Sequence, residues 1–277
     1  MVHNINSIME HWDHTQLREY KPFVVLMVGN RRQGKSYLCN HLCRTLMTRK
    51  SREFDLVISF MGSAHCNPEL HSFLDSEGFG CFQFNKWDQG LMDRLEQQQI
   101  ELMREGRVRN VLILVDDITL DHNQKEQLAH LCVRGRHFHV SVIMLSVSYS
   151  NFHKSCRRSS DIICLFSMGC QSDRELMMKE FAHKQHQCEF FMRQIVARDH
   201  TACIINLNEK QQKIYWYRAP GVRVESSERG SGRSDPSYRR VQIEGGDDEG
   251  GTGPDFHAPE RTENPDSELN PASSPEC

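Results

Sequence analysis

One eight-residue segment, Gly29-Asn30-Arg31-Arg32-Gln33-Gly34-Lys35-Ser36, constrains the fold of this chain more than any other feature. It fits the pattern G-x-x-x-x-G-K-S/T at every fixed position. The apolar run Phe23–Val28 precedes it and an amphipathic stretch from Lys35 to Met47 follows, so the segment joins a buried strand to a helix. A glycine turn can match the pattern by chance, but this strand–loop–helix context is the one that a phosphate-binding loop requires. The segment therefore predicts a site for a nucleoside triphosphate.

Each residue type in this loop has a separate task. Gly29 and Gly34 permit backbone angles and close approach that a Cβ would block, so that consecutive N–H groups can surround a phosphate. Lys35 begins the helix and is predicted to act on the β- and γ-phosphates, and Ser36 offers a hydroxyl to a bridging Mg²⁺ ion. The sequence thus predicts ATP and Mg²⁺ as ligands. The residues expected to contact the nucleotide are Gly29, Asn30, Arg31, Arg32, Gln33, Gly34, Lys35, Ser36 and Tyr37.

A pair of acidic residues follows the most apolar run of the chain. Val111–Val115 ends in Asp116 and Asp117, which is the arrangement of a core strand that carries a magnesium ligand. Asp116 is predicted to hold the metal next to Ser36, directly or through water, and Asp117 to orient or deprotonate the attacking water. Seen alone, the two acids would be the solvated end of a strand. The phosphate-binding loop favours the catalytic interpretation.

The order of apolar and amphipathic segments indicates the fold class. Fully apolar strands that alternate with helices form a sheet buried on both faces, hence an α/β fold with a mostly parallel, RecA-like sheet flanked by helices. The predicted strands are Phe23–Val28, Phe54–Phe60, Cys81–Phe84, Val111–Val115, His139–Leu145, Asp161–Phe166, Thr201–Leu207 and Lys213–Tyr217, the last two as a hairpin. The predicted helices are Lys35–Met47, Asp88–Glu105, Asn123–Cys132 and Asp173–Arg198.

Charge and composition divide the chain near residue 218. Residues 219–277 hold 13 acidic and 6 basic residues, together with 7 of the 9 prolines and 8 of the 17 glycines. Such a segment has too little apolar surface to offset its ordering entropy. We therefore expect an ATPase domain over residues 1–218, with a net charge of +4, and a disordered acidic Pro/Gly-rich tail over residues 219–277. Mild basicity of the domain permits nucleic-acid binding without demonstrating it.

The 11 cysteines do not form a recognisable metal or disulfide framework. They are scattered, with no Cys-x-x-Cys pair, and the chain shows neither a signal sequence nor an apolar run of membrane-spanning length. A reducing intracellular location is therefore expected, with most cysteines in the core. His183, His186 and Cys188 have the chemistry of zinc ligands but lack a fourth partner at a suitable spacing, so a polar helix face is the default interpretation.

Two short matches to guanine-nucleotide motifs have a simpler explanation. Asp75-Ser76-Glu77-Gly78 fits D-x-x-G and Asn85-Lys86-Trp87-Asp88 fits N-K-x-D. Only six residues separate them, which leaves no room for the strand, helix and strand that lie between these motifs in GTPases. His71–Leu74, before the first match, also reads as helix and not as strand. The sequence does not support a GTPase.

Two segments beyond Asp117 give the chain a family resemblance. Val133-Arg134-Gly135-Arg136-His137 leads into a strand, and Arg157-Arg158-Ser159-Ser160-Asp161-Ile162-Ile163 into another. With the phosphate loop and the acidic pair, this succession resembles the genome-packaging ATPases of large double-stranded DNA viruses, the poxvirus type, within the FtsK–HerA superfamily. The resemblance runs from about Phe23 to Tyr217.

This resemblance implies a homo-oligomeric ring that pulls double-stranded DNA into a capsid with ATP. It also implies a capsid or portal partner, and a location in the host cytoplasm or nucleus or in the virion. A helicase or DNA-pumping ATPase of a mobile element is the alternative within the same class. A second alternative is a nucleotide-switched assembly protein with little turnover.

The resemblance also implies roles for arginines, since a ring motor needs a cation that reaches the γ-phosphate bound by its neighbour. Arg157 is the candidate for this trans-acting arginine, with Arg158 and Arg136 as alternatives. Arg31, Arg32, Arg134 and Arg136 are candidates for DNA phosphate contacts or, equally, for a solvated basic surface.

One position departs from the family pattern. After the strand that ends in Leu145 the family usually has a glutamine, whereas this chain has Val147 between Ser146 and Ser148. A valine can neither sense the γ-phosphate nor position water. Either a serine substitutes for the glutamine, or hydrolysis is slow or differently coupled.

Overall fold

The computed structural model describes residues 10–48, 51–62, 68–79, 81–181, 200–209 and 213–220. Its strands are β1 (Val24–Val28), β2 (Met47–Thr48), β3 (Ser51–Arg52), β4 (Leu56–Met61), β5 (Cys81–Phe84), β6 (Val111–Asp116), β7 (Val140–Ser146), β8 (Ile162–Leu165), β9 (Thr201–Asn206) and β10 (Ile214–Arg218). Its helices are α1 (Lys35–Leu46), α2 (Pro68–Ser76), α3 (Gln89–Arg104), α4 (His122–Arg134), α5 (Lys154–Ser159) and α6 (Gln171–Glu180). Short 3-10 helices span His14–Arg18 and Gly135–Phe138.

Eight of these strands form one sheet in the order β10-β9-β8-β1-β7-β6-β4-β5, while β2 and β3 pair separately. The six neighbours from β8 to β5 run parallel, and β9 pairs antiparallel with both β8 and β10. The predicted mostly parallel α/β sheet is therefore confirmed. Because the carboxyl ends of parallel strands share one edge, the loops after β1, β6 and β7 meet there.

Helices cover both faces of the sheet. Alternate residues of β1 enter two different cores: Val24, Leu26 and Val28 pack with the side chains of α3, α4, α5 and α6, whereas Val25 and Met27 pack with those of α1 and α2. All five residues of β1 are buried as a result. Burying one such aliphatic side chain contributes about 1.5–3 kcal/mol, so this strand is anchored firmly where the phosphate loop begins.

The start of each long helix has a local cause. Asp88 caps α3 by accepting a hydrogen bond from the Leu91 amide at 3.0 Å. At α4, Asp121 accepts from the Gln124 amide while the Gln124 side chain accepts from the Asp121 amide, a reciprocal capping box. The N-K-x-D match is thus a helix cap, and Asp75 lies within α2. This agrees with the rejection of a GTPase.

Several predicted elements differ from the structure or fall outside it. The six-residue helix α5 and the β2–β3 pair are not predicted from the sequence. The predicted helix Asp173–Arg198 is described as α6 up to Glu180, and its remainder lies outside the described residues, as do His183, His186, Cys188 and residues 221–277. Ala219, which the sequence places in the tail, is 5 % exposed and packs in the core with Tyr217.

Among the described helices, none has both the length and the apolar character that a membrane crossing needs.

Candidate active site

The phosphate loop is held between β1 and α1 by close backbone contacts. A Cβ at Gly29 would lie 2.5 Å from the Cβ of Phe166, so only glycine fits there. Gly34 has a φ of 99°, in the left-handed region, and immediately precedes the first residue of α1. The Asn30 amide donates to the Ser167 carbonyl at 2.7 Å, and its side-chain oxygen accepts from the Gly169 amide at 3.0 Å. The segment after β8 therefore shapes the loop.

Lys35 is buried at the centre of this loop, with 9 % of its surface exposed. Its ammonium donates to the carbonyls of Gly29 at 2.7 Å and Asn30 at 2.8 Å. Burial lowers the pKa of Lys35, and attraction to Asp116 and Asp117 opposes that shift. The positive charge of Lys35 therefore lies at the centre of the loop, where the phosphates of a triphosphate would bind.

Asp116 is the last residue of β6 and is also buried. Burial, followed by repulsion from Asp117, raises the pKa of its carboxyl, while the attraction of Lys35 and a hydrogen bond from the Ser36 hydroxyl lower it. The structure therefore places the two predicted metal-binding residues next to each other. A carboxylate and a hydroxyl are the hard oxygen ligands that Mg²⁺ prefers, so this pair fits the ion.

Asp117 lies in a strained turn directly after β6. Its φ is 51°, which is unusual for a residue other than glycine, and its side chain is exposed. Gly62, which follows β4, donates from its amide to the Asp116 carbonyl at 3.3 Å. A Cβ at Gly62 would lie 2.5 Å from the carbonyl oxygen of Asp117. Asp117 also borders a cavity of about 200 Å³ that Ser146 and Asn151 line from the other side.

The loop after β7 forms that other side of the cavity. The Asp173 carboxylate, 1 % exposed, accepts from the amides of Tyr149 and Ser150, both at 3.0 Å. This contact fixes the loop against the start of α6. Val147, at the usual glutamine position, is 38 % exposed.

The three arginines proposed to act in trans lie in the segments that lead into β7 and β8, and none of them belongs to the phosphate loop. Arg157 is 8 % exposed and forms an ion pair with Glu180 at 2.7 Å, and its guanidinium also donates to the Phe152 carbonyl and lies 5.0 Å from the Tyr149 ring centre. Arg136 forms an ion pair with Asp161 at 2.5 Å. Arg158 has an exposed side chain. The structure thus places Arg157 inside the domain, next to the loop that follows β7, and leaves Arg158 at the surface.

Sequence reasoning misses several residues that shape this site. Gly62 could have been noticed as a glycine that directly follows a buried strand. Glu180 and Asp173 gave no signal, because their partners lie 23 or 24 positions away along the chain.

A phosphate loop between a buried strand and a helix, paired acids two strands away, and a mostly parallel sheet covered on both faces define this chain as an ATPase of the P-loop class. The sequence model of the family described as Poxvirus A32 protein matches residues 9–206 of the 277. The chain therefore belongs to the Poxvirus A32 protein family. This confirms the resemblance drawn from the motifs.

Solved structures support the same fold. The DNA-packaging ATPase B204 from Sulfolobus Turreted Icosahedral Virus is similar with a TM-score of 0.54 and 14 % identity, over 72 % of this chain and 98 % of that one. The genome packaging NTPase B204 from Sulfolobus turreted icosahedral virus 2, in complex with ATP-gammaS, gives 0.50 and 13 %, over 71 % and 97 %. The Type VII secretion ATPase EccC from Thermomonospora curvata, in its cytoplasmic domain, gives 0.51 and 14 %, over 74 % and 26 %. A search of curated protein sequences gave no match.

Proposed function

We propose that this chain couples ATP hydrolysis to the translocation of double-stranded DNA, as the packaging motor of a viral genome. The observation that carries the proposal is the convergence of the phosphate loop with Asp116 and Asp117 at one sheet edge, in a member of the Poxvirus A32 protein family. A DNA-packaging ATPase shares the fold over almost its whole length, which supports the same assignment.

The roles of the residues follow from their positions. The amides of the loop and the Lys35 ammonium bind the β- and γ-phosphates, and Ser36 with Asp116 would hold Mg²⁺, which supplies positive charge to these phosphates when bound. Asp117, exposed beside the cavity, accepts a proton from water as the water oxygen bonds to the γ-phosphorus. The bond from that phosphorus to the β-phosphate oxygen breaks, and ADP leaves. The remaining loop residues, from Asn30 to Tyr37, complete the nucleotide contacts.

A ring of subunits would complete each site. Arg157, Arg158 and Arg136 lie outside the phosphate loop, in the segments that lead into β8 and β7, and one of them would reach the nucleotide bound by the neighbouring subunit. For Arg157 to act in this way, its ion pair with Glu180 has to open in the assembled ring. Arg158, adjacent in sequence and exposed, needs no such rearrangement.

Double-stranded DNA would be held by charge and not by base recognition. Arg31 and Arg32 are exposed in the phosphate loop. Arg134 and Arg136 keep side-chain exposures of 57 % and 48 % although each has an acidic partner, Glu96 and Asp161 respectively. Contacts of this kind to DNA phosphates are independent of sequence, as a packaging motor requires. A packaging motor would also bind a capsid or portal protein, and it would act in the host cytoplasm or nucleus, or in the virion.

The decisive experiment is the steady-state ATPase rate of purified protein of known oligomeric state, with and without double-stranded DNA. We expect DNA to increase the rate several-fold at low salt, and the stimulation to shrink as salt rises. Lys35→Ala, which removes the phosphate-binding cation, and Asp117→Asn, which binds MgATP without activating water, serve as inactive controls. Turnover that ignores DNA, with assembly controlled by ATP, would instead support the nucleotide-switched assembly protein.

A further inference from the structure

The phosphate loop does not itself distinguish one nucleoside triphosphate from another. The pattern G-x-x-x-x-G-K-S/T supplies amides, a lysine and a hydroxyl that all act on phosphates and Mg²⁺. The sequence match to the guanine-reading motif, Asn85-Lys86-Trp87-Asp88, is a helix cap in this chain. The contacts that select the nucleoside therefore have to come from other residues beside the loop.

The direction of the phosphate chain indicates where the nucleoside lies. In the sheet, β1 has β7 and then β6 on one side, and β8, β9 and β10 on the other. The γ-phosphate has to face Asp117 after β6, so the nucleoside end of the nucleotide extends to the β8 side of the loop. Because β9 is antiparallel to β8, with Cys203 opposite Leu165, the start of β9 lies at the edge where β1 and β8 end.

His200, the residue before β9, lies against the phosphate loop at this edge. Its Cβ and Cδ2 atoms are both 3.4 Å from the position that a Cβ on Gly34 would occupy. Its φ of 59° is in the left-handed region. The next residue, Thr201, is fixed by Arg218 of β10, whose guanidinium donates to the Thr201 hydroxyl from Nε at 3.0 Å and from Nη2 at 2.9 Å. The His200 ring is thus held beside the junction of the loop and α1.

The imidazole of His200 has an unused donor. Its Nδ1 atom is buried and has no hydrogen-bond partner within the described part of the chain. An N–H at Nδ1 would be buried without an acceptor, which is costly, so the ring proton belongs on Nε2. Since His200 as a whole is only partly buried, its Nε2–H can reach a ligand beside the loop.

Tyr37 forms the outer part of the same surface. It is the third residue of α1, about 4.5 Å beyond Gly34 along the helix axis, and 39 % of its surface is exposed. Its hydroxyl donates to the Pro220 carbonyl at 2.5 Å, which fixes the ring next to the end of β10. An exposed aromatic ring that is held by its hydroxyl offers a face on which a planar base can stack.

We propose that His200 and Tyr37 hold the nucleoside of the bound nucleotide, and that His200 is the residue that recognises its ribose. The imidazole Nε2–H donates to a ribose hydroxyl, and the Tyr37 ring stacks on the base. His200 lies next to the loop and Tyr37 farther out, which is the order in which ribose and base follow the phosphates. This inference rests on the nucleotide site described under the proposed function and adds the residues that distinguish a nucleotide from a bare phosphate chain.

Isothermal titration calorimetry with ADP and with pyrophosphate tests the proposal, because pyrophosphate occupies the loop without a nucleoside. His200→Gly is the informative variant, since glycine adopts the left-handed backbone of this position and only the imidazole is lost. We expect its Kd for ADP to rise by about 5–10-fold and its Kd for pyrophosphate to change by less than about twofold. His139→Gly is the matched control: His139 precedes β7 with a φ of 56°, and its loss should change neither Kd.

The ribose contact and the aromatic ring are tested separately. In the unmodified chain, either 2′-deoxyADP or 3′-deoxyADP should bind about 5–10-fold more weakly than ADP, and this difference should disappear in His200→Gly. Tyr37→Ala should raise the Kd for ADP by at least about fivefold, and Tyr37→Phe, which keeps the ring, should recover most of that loss.

Three results would overturn the proposal. The first is an equal loss of ADP and pyrophosphate affinity in His200→Gly, which shows that His200 shapes the loop and does not contact the nucleoside. The second is an unmodified chain that binds pyrophosphate as tightly as ADP. The third is equal affinity of the unmodified chain for ADP and both deoxy analogues. ATP turnover that does not respond to DNA would contradict the translocation proposal and leave these binding results unaffected.

Discussion

The backbones of Gly62 and Asp117 are in contact at the catalytic edge of the sheet, so closely that a methyl group on Gly62 would lie 2.5 Å from the Asp117 carbonyl oxygen. Gly62 follows β4 and Asp117 follows β6, two neighbouring parallel strands. The Asp117 backbone, with its unusual φ of 51°, therefore packs against Gly62, where any side chain would prevent the contact. The position of Asp117, the proposed general base, thus depends on a glycine that takes no part in the proposed reaction.

Gly62→Ala should displace Asp117 and lower kcat by at least about tenfold, because small misplacements of a catalytic group are costly. ATP affinity should stay within about twofold, since the phosphate loop belongs to other elements. Gly78→Ala is the matched control: its φ of 73° is strained too, but an added Cβ there meets nothing within 4 Å. The control should lose some thermal stability and keep its kcat. Unchanged kcat in Gly62→Ala would show that the turn tolerates the shift.

Asp116→Asn should abolish hydrolysis and yet stabilise the nucleotide-free protein. Burial raises the pKa of Asp116, so the folded state binds this proton more tightly than the unfolded state does. The free energy of unfolding therefore falls as pH rises above the ordinary pKa of an aspartate. An asparagine at position 116 has no proton to lose, so the variant keeps that stability. We expect Tm to rise by about 2–4 °C at pH 7, which corresponds to about 1 kcal/mol, with a smaller gain near pH 4. A lower Tm at pH 7 would mean that attraction to Lys35 outweighs the burial.

Arg157→Ala should destabilise the domain by about 2–3 kcal/mol, measured by urea unfolding, because it removes the buried guanidinium that pairs with the partly buried Glu180 and leaves Glu180 with only the Tyr149 hydroxyl. Burial raises the pKa of Glu180, but hydrogen bonds from Arg157 and Tyr149 and the attraction of Arg157 outweigh it and hold this pKa below its ordinary value of 4.5. The stability difference between the unmodified protein and the variant should thus be complete above pH 4.5 and shrink as pH falls below it. Arg158→Ala, at an exposed position, should leave stability unchanged. Equal stability of both variants would contradict the ion pair.

The same two variants, with Arg136→Ala, identify the arginine that acts in trans. Mixed with Lys35→Ala subunits, a variant that lacks the trans arginine forms some interfaces with two intact halves, so part of the ATPase activity should return. From its exposure we expect recovery with Arg158→Ala. Subunit exchange is checked by crosslinking. If no variant complements and the protein hydrolyses ATP as a monomer, the ring motor is wrong.

Deleting residues 225–277 should leave Tm and ATP binding unchanged, because this segment lacks the apolar side chains to join a core. Since the segment is acidic, its loss should also tighten DNA binding at low salt, with a difference that shrinks as salt rises. Thermal melting and DNA titration at two salt concentrations test both statements. A large fall in Tm would move the domain boundary beyond residue 225.

Strands of the core could be predicted from the sequence because they are apolar throughout. Val111–Val115 was expected and β6 spans Val111–Asp116. The edge strand β5 agrees with the predicted Cys81–Phe84 at both ends, although it is only partly buried and contains Gln83. The short helix α5 could not be predicted, since only Cys156 among its six residues is apolar and six residues are too few for an amphipathic period.

The candidate site also contains residues that could be predicted from the sequence and residues that could not. The loop and the acidic pair follow from local patterns, which the chain provides in consecutive residues. The state of Arg157 depends on Glu180, which no local pattern connects to it. The contacts of the two serines beside Val147 also depend on packing: Asn151 donates to the Ser146 hydroxyl, whereas the Ser148 hydroxyl pairs with that of Ser150. Such facts are properties of tertiary packing, so they became accessible only with the fold.

The hydrogen bonds of Lys35 to the Gly29 and Asn30 carbonyls make nucleotide binding at this loop an exchange reaction. A triphosphate does not meet a free cation; it takes over an ammonium that two peptide groups already solvate. The measured affinity for ATP is accordingly the difference between two sets of charge-assisted hydrogen bonds. The same exchange favours release of phosphate after hydrolysis, because the Gly29 and Asn30 carbonyls can again accept hydrogen bonds from Lys35 as the phosphate leaves.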